Sequence, residues 1–247
     1  MSYLTSHRTT SMVFALLLLI IVSSFGCTAM GGRSMSDTVY TMTTYFPCSQ
    51  GDRWTYSNKS GDKVKEVNYV IEGSETFNGI EVPKKVQVEN TEEYFCTYVD
   101  PVLGIRDFKH HLGMAPEYLI YTPPTNVIPA KMKVGDIHYN TSHLFRHNHD
   151  GTIKGEGSFF DTTIFEAVEK VTVPAGTFEN CPKVILIRDD VFSDMVVNVV
   201  FTQWLAKGVG IIKSKAKVMI YSPEGGEPFV VESSEELVRA TIDGTSY

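Results

Sequence analysis

Ile212-Lys213-Ser214-Lys215-Ala216-Lys217-Val218-Met219-Ile220-Tyr221 is the stretch that decides the fold. Ile212, Ser214, Ala216, Val218 and Ile220 alternate with Lys213, Lys215, Lys217, Met219 and Tyr221. Successive side chains of an extended strand point to opposite faces, so this period of two describes a sheet with one wet face. Working outward, Val67-Asn68-Tyr69-Val70-Ile71, Val86-Gln87-Val88-Glu89 and Val184-Ile185-Leu186-Ile187 are shorter β-rich runs bounded by turn residues. Met195 to Leu205 is long, β-branched and aromatic, the composition of a central strand. Ser233 to Ala240 fits neither period cleanly and is assigned a last strand rather than a helical turn. The chain reads as all-β from residue 45 to residue 247.

The chain also resembles itself. Gly51-Asp52 is matched by Gly135-Asp136, and Thr76-Phe77 with Pro83 is matched by Thr177-Phe178 with Pro182. Tyr98 with Gly104-Ile105 is matched by Trp204 with Gly210-Ile211. Three landmarks in one order suggest either two duplicated β units, 45–122 and 128–222, within the single β domain 45–247, or coincidence among common turn residues. Locally, Gly-Asp is turn chemistry opening a strand, and a proline belongs at a strand start or on an edge.

Val173-Pro174-Ala175-Gly176-Thr177-Phe178 and Trp204-Leu205-Ala206-Lys207-Gly208-Val209-Gly210, with Tyr45-Phe46-Pro47 and Trp54-Thr55-Tyr56 upstream, resemble a group of poorly characterised bacterial lipoproteins. The resemblance implies a curved antiparallel sheet or incomplete β-barrel, similar to the half-barrels that carry lipoproteins and hold acyl chains on a concave apolar face. It brings no catalytic residues with it. Residues 109–160, rich in His, Pro and Gly, read as an insert on that pattern.

The N-terminus carries an address. Met12 to Val22 is an uninterrupted apolar run of about 11 residues, the size of a signal-peptide core and short of the ~20 a spanning helix needs. Gly26-Cys27 at its end resembles the lipobox of bacterial lipoproteins, although Ser24 stands where that motif prefers Leu. Acylation of Cys27 after removal of residues 1–26 is the leading reading. Plain secretion with cleavage after Ala29 and an uncleaved anchor are the alternatives. Residues 27–44, small and polar, are expected to be a flexible tether. Thr28 rather than Asp follows the cysteine, which by the resemblance directs the product to the outer membrane of a two-membrane envelope.

The net charge of −7, with Arg8 the sole charged side chain of the leader, argues against a nucleic-acid partner, which calls for clustered positive charge. If Cys27 carries lipid, then Cys48, Cys96 and Cys181 remain, enough for one disulfide of undetermined pairing or for three buried thiols.

His143, His147 and His149 are the metal candidates, since alternate strand positions share a face and neutral imidazole binds zinc, copper or nickel. Asn148, Asp150 and Gly151 argue instead for a hairpin tip with solvated side chains, and His110-His111 beside Gly113 reads as loop. The adjacent pairs Glu92-Glu93, Asp189-Asp190 and Glu235-Glu236 read as exposed charge, because neighbours on a strand face opposite ways and cannot converge on one bond. No serine-hydrolase elbow or phosphate-binding glycine loop occurs in the sequence. Tyr94-Phe95, Tyr98, Phe108, Tyr118, Tyr121, Phe159-Phe160 and Phe165 would line either a packed core or an apolar cleft. The expectation is a non-catalytic envelope lipoprotein without a cofactor, binding a hydrophobic molecule. A structural or assembly role docking another envelope protein is the alternative.

Overall fold

The alternating stretch lies in the thirteenth of fifteen strands among the described residues. The computed structural model describes residues 37–112 and 117–247; the leader and Cys27 lie outside the described residues. The strands are β1 (Tyr40–Thr41), β2 (Arg53–Ser60), β3 (Lys63–Phe77), β4 (Ile80–Gln87), β5 (Asn90–Asp100), β6 (Gly104–Leu112), β7 (Glu117–Pro129) and β8 (Lys131–Met132). They continue as β9 (Ile137–Asn148), β10 (Ile153–Val173), β11 (Gly176–Phe192), β12 (Val196–Ala206), β13 (Gly210–Tyr221), β14 (Phe229–Ile242) and β15 (Thr245–Ser246). A short 3-10 turn, Met42–Tyr45, follows β1.

Each strand from β2 to β7 and from β9 to β14 is antiparallel to the next, and β7 pairs with β9. β14 then bonds β13 on one side, Ser214 opposite Glu235, and β2 on the other, Tyr56 opposite Leu237. The curved antiparallel sheet therefore closes into a 12-stranded barrel, with no free edge among these strands. Closure satisfies the backbone groups that an open sheet leaves exposed. β8 stands between the two runs of strands and pairs with β1, Tyr40 opposite Met132.

The two Gly-Asp turns do the same job. Gly51 N–H donates to the Ile71 carbonyl at 2.9 Å and Ile71 N–H returns to Asp52 at 2.9 Å; Gly135 and Phe165 repeat this at 2.7 Å, with Phe165 N–H to Asp136 at 3.0 Å. Each aspartate also accepts the N–H three residues back, Ser49 at 2.9 Å and Lys133 at 2.7 Å. Asp52 goes further: its second carboxylate oxygen accepts Asp243 N–H at 2.9 Å, tying the start of β2 to the end of β14. The middle landmarks are not equivalent, for Phe77 ends β3 whereas Phe178 lies inside β11.

Two hairpins fold back over the sheet. The β3–β4 tip lies on β5 and β6, with Phe77 5.3 Å from Phe108 and Lys109 paired to Glu75 at 3.0 Å. The β10–β11 tip reaches β12 and β14: Trp204 Nε1 donates to Glu169 at 2.8 Å and Ala175 N–H to the Leu237 carbonyl at 2.9 Å. Under the first hairpin Val82, Cys96 and Phe108 form a small buried cluster. Those strands are covered on both faces.

Three sequence expectations are corrected. The tether does not extend to residue 44, because Tyr40 onward belongs to the fold and Met42, fully buried, packs with Tyr45, Phe165 and Leu205; burying a methionine contributes roughly 1.5–3 kcal/mol. The described residues of 109–160 are not an insert: β6, β7, β9 and β10 are strands of the barrel wall. His110 and His111 lie in β6, not in a loop. The last-strand assignment for Ser233–Ala240 agrees with β14, and the central strand at Met195–Leu205 with β12. Cys48, Cys96 and Cys181 are free thiols. Burial pushes those of Cys96 and Cys181 up, to about 12 and about 11.

Candidate functional site

The barrel holds a partly open cavity of about 310 Å³. Strand alternation supplies its walls: Trp54 and Tyr56 from β2, Tyr69 and Ile71 from β3, and Pro83 and Lys85 from β4 all point in. The apolar wall continues with Phe95, Val99, Ile105, Ile128, Leu186 and Phe201. Volume and lining match the low end of small-molecule sites, which run from ~300 to 1,000 Å³ and are mainly apolar with a few polar groups.

One polar group is Lys85, held in an aromatic cage. Its ammonium lies 4.7 Å from the Trp54 ring centre, 4.8 Å from Tyr69 and 5.7 Å from Tyr56. The rings are fixed from the far side: Trp54 Nε1 donates to the Val209 carbonyl at 2.7 Å, and the Tyr56 hydroxyl to the Ile211 carbonyl at 2.8 Å. Gly210, between those two carbonyls, has φ +104, a backbone conformation that favours glycine, while a β-carbon there would meet the indole nitrogen only at an ordinary contact distance of 3.5 Å. Burial lowers the Lys85 pKa to about 8, against a smaller raising effect of Glu235. The charge is held by π faces, each contributing about 0.5–2 kcal/mol.

The second polar group is Arg188 on β11. Its guanidinium is 3.6 Å from Asp107 and 3.4 Å from the Tyr121 hydroxyl, and it sits 4.9 Å over the Phe159 ring. Asp161 and Asp190 stand nearby. Burial pushes both up to about 6, with Arg188 pulling the other way. One oxygen of each has no hydrogen-bond partner among the described residues. Three carboxylates therefore surround one guanidinium, and the surplus is negative.

His110 completes this end of the cavity, stacked on Phe95 at 4.1 Å. Burial, and then Arg188, depress its pKa to about 3. The unfolded chain binds a proton on His110 below about pH 6.5 and the folded chain does not, so this group's stabilisation is full above pH 6.5 and declines as pH falls toward 3. Asp161 and Asp190 act oppositely, since their raised values make the folded state bind protons between about pH 4 and 6. His110→Phe keeps the stack and removes the histidine effect. On going from pH 7 to pH 5 the variant should gain about 2 kcal/mol relative to wild type, read from urea midpoints at the two pH values. Equal pH slopes for the two proteins would refute the burial of a neutral His110.

The sequence-derived metal candidates do not converge. His143 Nδ1 lies 3.2 Å from the Gly157 carbonyl and His147 Nδ1 3.0 Å from the Gly151 carbonyl. His147 stacks on Tyr118 at 5.0 Å, and the His149 ring lies 5.6 Å from His111. They belong to a ladder of stacked rings near the hairpin tip at 149–152, and among the described residues no group of three His, Cys, Asp or Glu side chains is placed to hold a metal ion. The acid pairs split as strand neighbours must, but one member of two of them points inward: Asp190 is buried and Glu235 lines the cavity. Their reading as exposed charge is corrected accordingly. Phe159 and Phe165 are core and Phe95 lines the cavity, whereas Phe160 is exposed.

Residues 126–217 match the DUF3108-like family model. The span runs from the end of β7 into β13. No curated protein matches the chain. Among solved structures, the chain is similar to a Bacteroides fragilis protein described as exported and of YmcC-like fold, at 18% identity over 79% of this chain and 98% of that one, with a TM-score of 0.46. It is similar also to a protein from Parabacteroides distasonis described as a lipoprotein, at 15% identity over 79% and 97% of the two chains, with a TM-score of 0.39.

Proposed function

We propose that this chain is a lipid-anchored envelope lipoprotein that binds, without transforming, a hydrophobic small molecule inside its barrel. The observation that carries the reading is the unfilled, mainly apolar cavity of about 310 Å³. A barrel serving only as a docking scaffold would fill that space with side chains, because protein interiors pack to near-crystal density. Binding rather than catalysis is supported by the placement of the charged groups. Among the described residues Lys85 has no acid, base or hydroxyl within hydrogen-bond reach, and Arg188 is occupied by Asp107 and Tyr121. The anchor rests on Gly26-Cys27 at the end of the apolar leader; two or more acyl chains, at about 0.8 kcal/mol per buried methylene, hold a protein firmly at a membrane.

Two measurements test the reading. Mass spectrometry of the membrane-extracted chain should find an acylated N-terminal Cys27, and Cys27→Ser should move the product out of the membrane pellet. Thermal melting of the full chain should rise in the presence of medium-chain fatty acids, as any ligand of the folded state alone requires. An unchanged melting point across fatty acids and lipopeptides would overturn the binding half.

A further inference from the structure

The cavity holds one cation that makes no ion pair with any described residue. Among the described residues Lys85 has no carboxylate within the 4.0 Å of an ion pair and no hydrogen-bond acceptor; its neighbours are the three rings of its cage. Glu235, the anion that acts on it from β14, is bonded to Asn58 Nδ2 at 3.0 Å. An ammonium carries three donors and no acceptor, and ring faces balance its charge without accepting those hydrogen bonds well. The other charged cluster in the cavity, around Arg188, has a surplus of carboxylates in Asp107, Asp161 and Asp190. An anionic group entering the barrel is attracted to Lys85 and repelled by the carboxylate surplus around Arg188.

We propose that the cavity binds a small amphiphile with a single carboxylate head, which docks on the Lys85 ammonium while its apolar body lies along Ile105, Leu186 and Phe201. This rests on the binding reading above and adds the head group and its orientation. A monoanion matches one ammonium. A phosphate dianion would leave a second buried charge facing Glu235, which is costly in a low-dielectric interior. The volume, at the lower bound for small-molecule sites, suits one short chain or ring system and not a multiply acylated lipid.

The test uses the full chain in lipid nanodiscs, with protein-free discs as background. Binding is read from the fluorescence of Trp54, one of two tryptophans in the chain and a wall of the cage. The probes are decanoate, decanol and decyltrimethylammonium. Decanoate should bind at least tenfold more tightly than decanol, roughly the value of a charge-assisted hydrogen bond, and the cation should bind weakest. Lys85→Met should lower decanoate affinity about 10- to 100-fold and leave decanol within about threefold. Equal affinity of the wild type for acid and alcohol overturns the carboxylate and leaves apolar binding standing. Failure of both to bind overturns the two together. Should Lys85→Met not melt cooperatively, the wild-type comparison of acid with alcohol decides alone.

Discussion

Arg188→Met lowers stability by about 3–5 kcal/mol at pH 7 and by clearly less at pH 5. Methionine fills much of the same space, so the loss comes from charge and not from a void. The guanidinium is the cation that compensates Asp107, Asp161 and Asp190, and it holds all three lower than burial alone would place them. Without it they face one another in the barrel and must either stay charged at high cost or take up protons. Carboxyls whose folded pKa lies above the unfolded value of ~3.9 destabilise more as pH rises, and the penalty vanishes below about pH 4. Urea titrations at pH 7 and pH 5 measure the two losses. If the loss is the same at both, the carboxylate surplus around Arg188 is not there.

Gly104→Ala should abolish cooperative folding, or cost more than about 4 kcal/mol where any folded material survives. Gly104 opens β6 at φ +120, opposite Pro129. A β-carbon there would sit 2.1 Å from the Ile128 carbonyl oxygen and 2.6 Å from Ala130 N, and both are backbone atoms of β7 and its exit. No rotamer change relieves such a contact; the strands must separate. Gly61→Ala is the comparison. It too has a positive φ, +58, but nothing lies within 4 Å, so its cost is limited to about 1 kcal/mol of backbone strain. Denaturant midpoints of the two variants separate the effects, and a Gly104→Ala protein as stable as Gly61→Ala would refute the close approach.

The alternation at Ile212–Tyr221, the β-branched run ending at Leu205 and the Gly-Asp turns were legible because each is a local rule about which way a side chain points. The cavity was hidden for the same reason. In β4, Val82 and Val86 share one face and Lys85 the other, so ordinary reading puts the valines in the core and the lysine in water. The valines are indeed buried, Val82 completely, beneath the β3–β4 hairpin or within the wall. Lys85 is half-buried, because the other face of β4 looks into the barrel. Sheet closure turns a wet face into an interior, and closure is a pairing between β2 and β14 that no local pattern encodes. Glu235 and Asp190 read as exposed charge for the same reason. The histidines drew attention through density in the sequence, yet the one that lines the cavity is His110, which stood among residues read as loop.

That seam has a consequence for how the molecule comes into being. β2 is the earliest of the barrel strands to be synthesised and β14 the latest, so the first partner needed is the last one made. Until the carboxyl end arrives, the nascent chain presents two sticky borders, each competent to recruit a stray strand from a neighbour. Assembly dominated by so distant a contact is slow. A message cut short before β14 would give not a smaller container but an open ribbon prone to clumping.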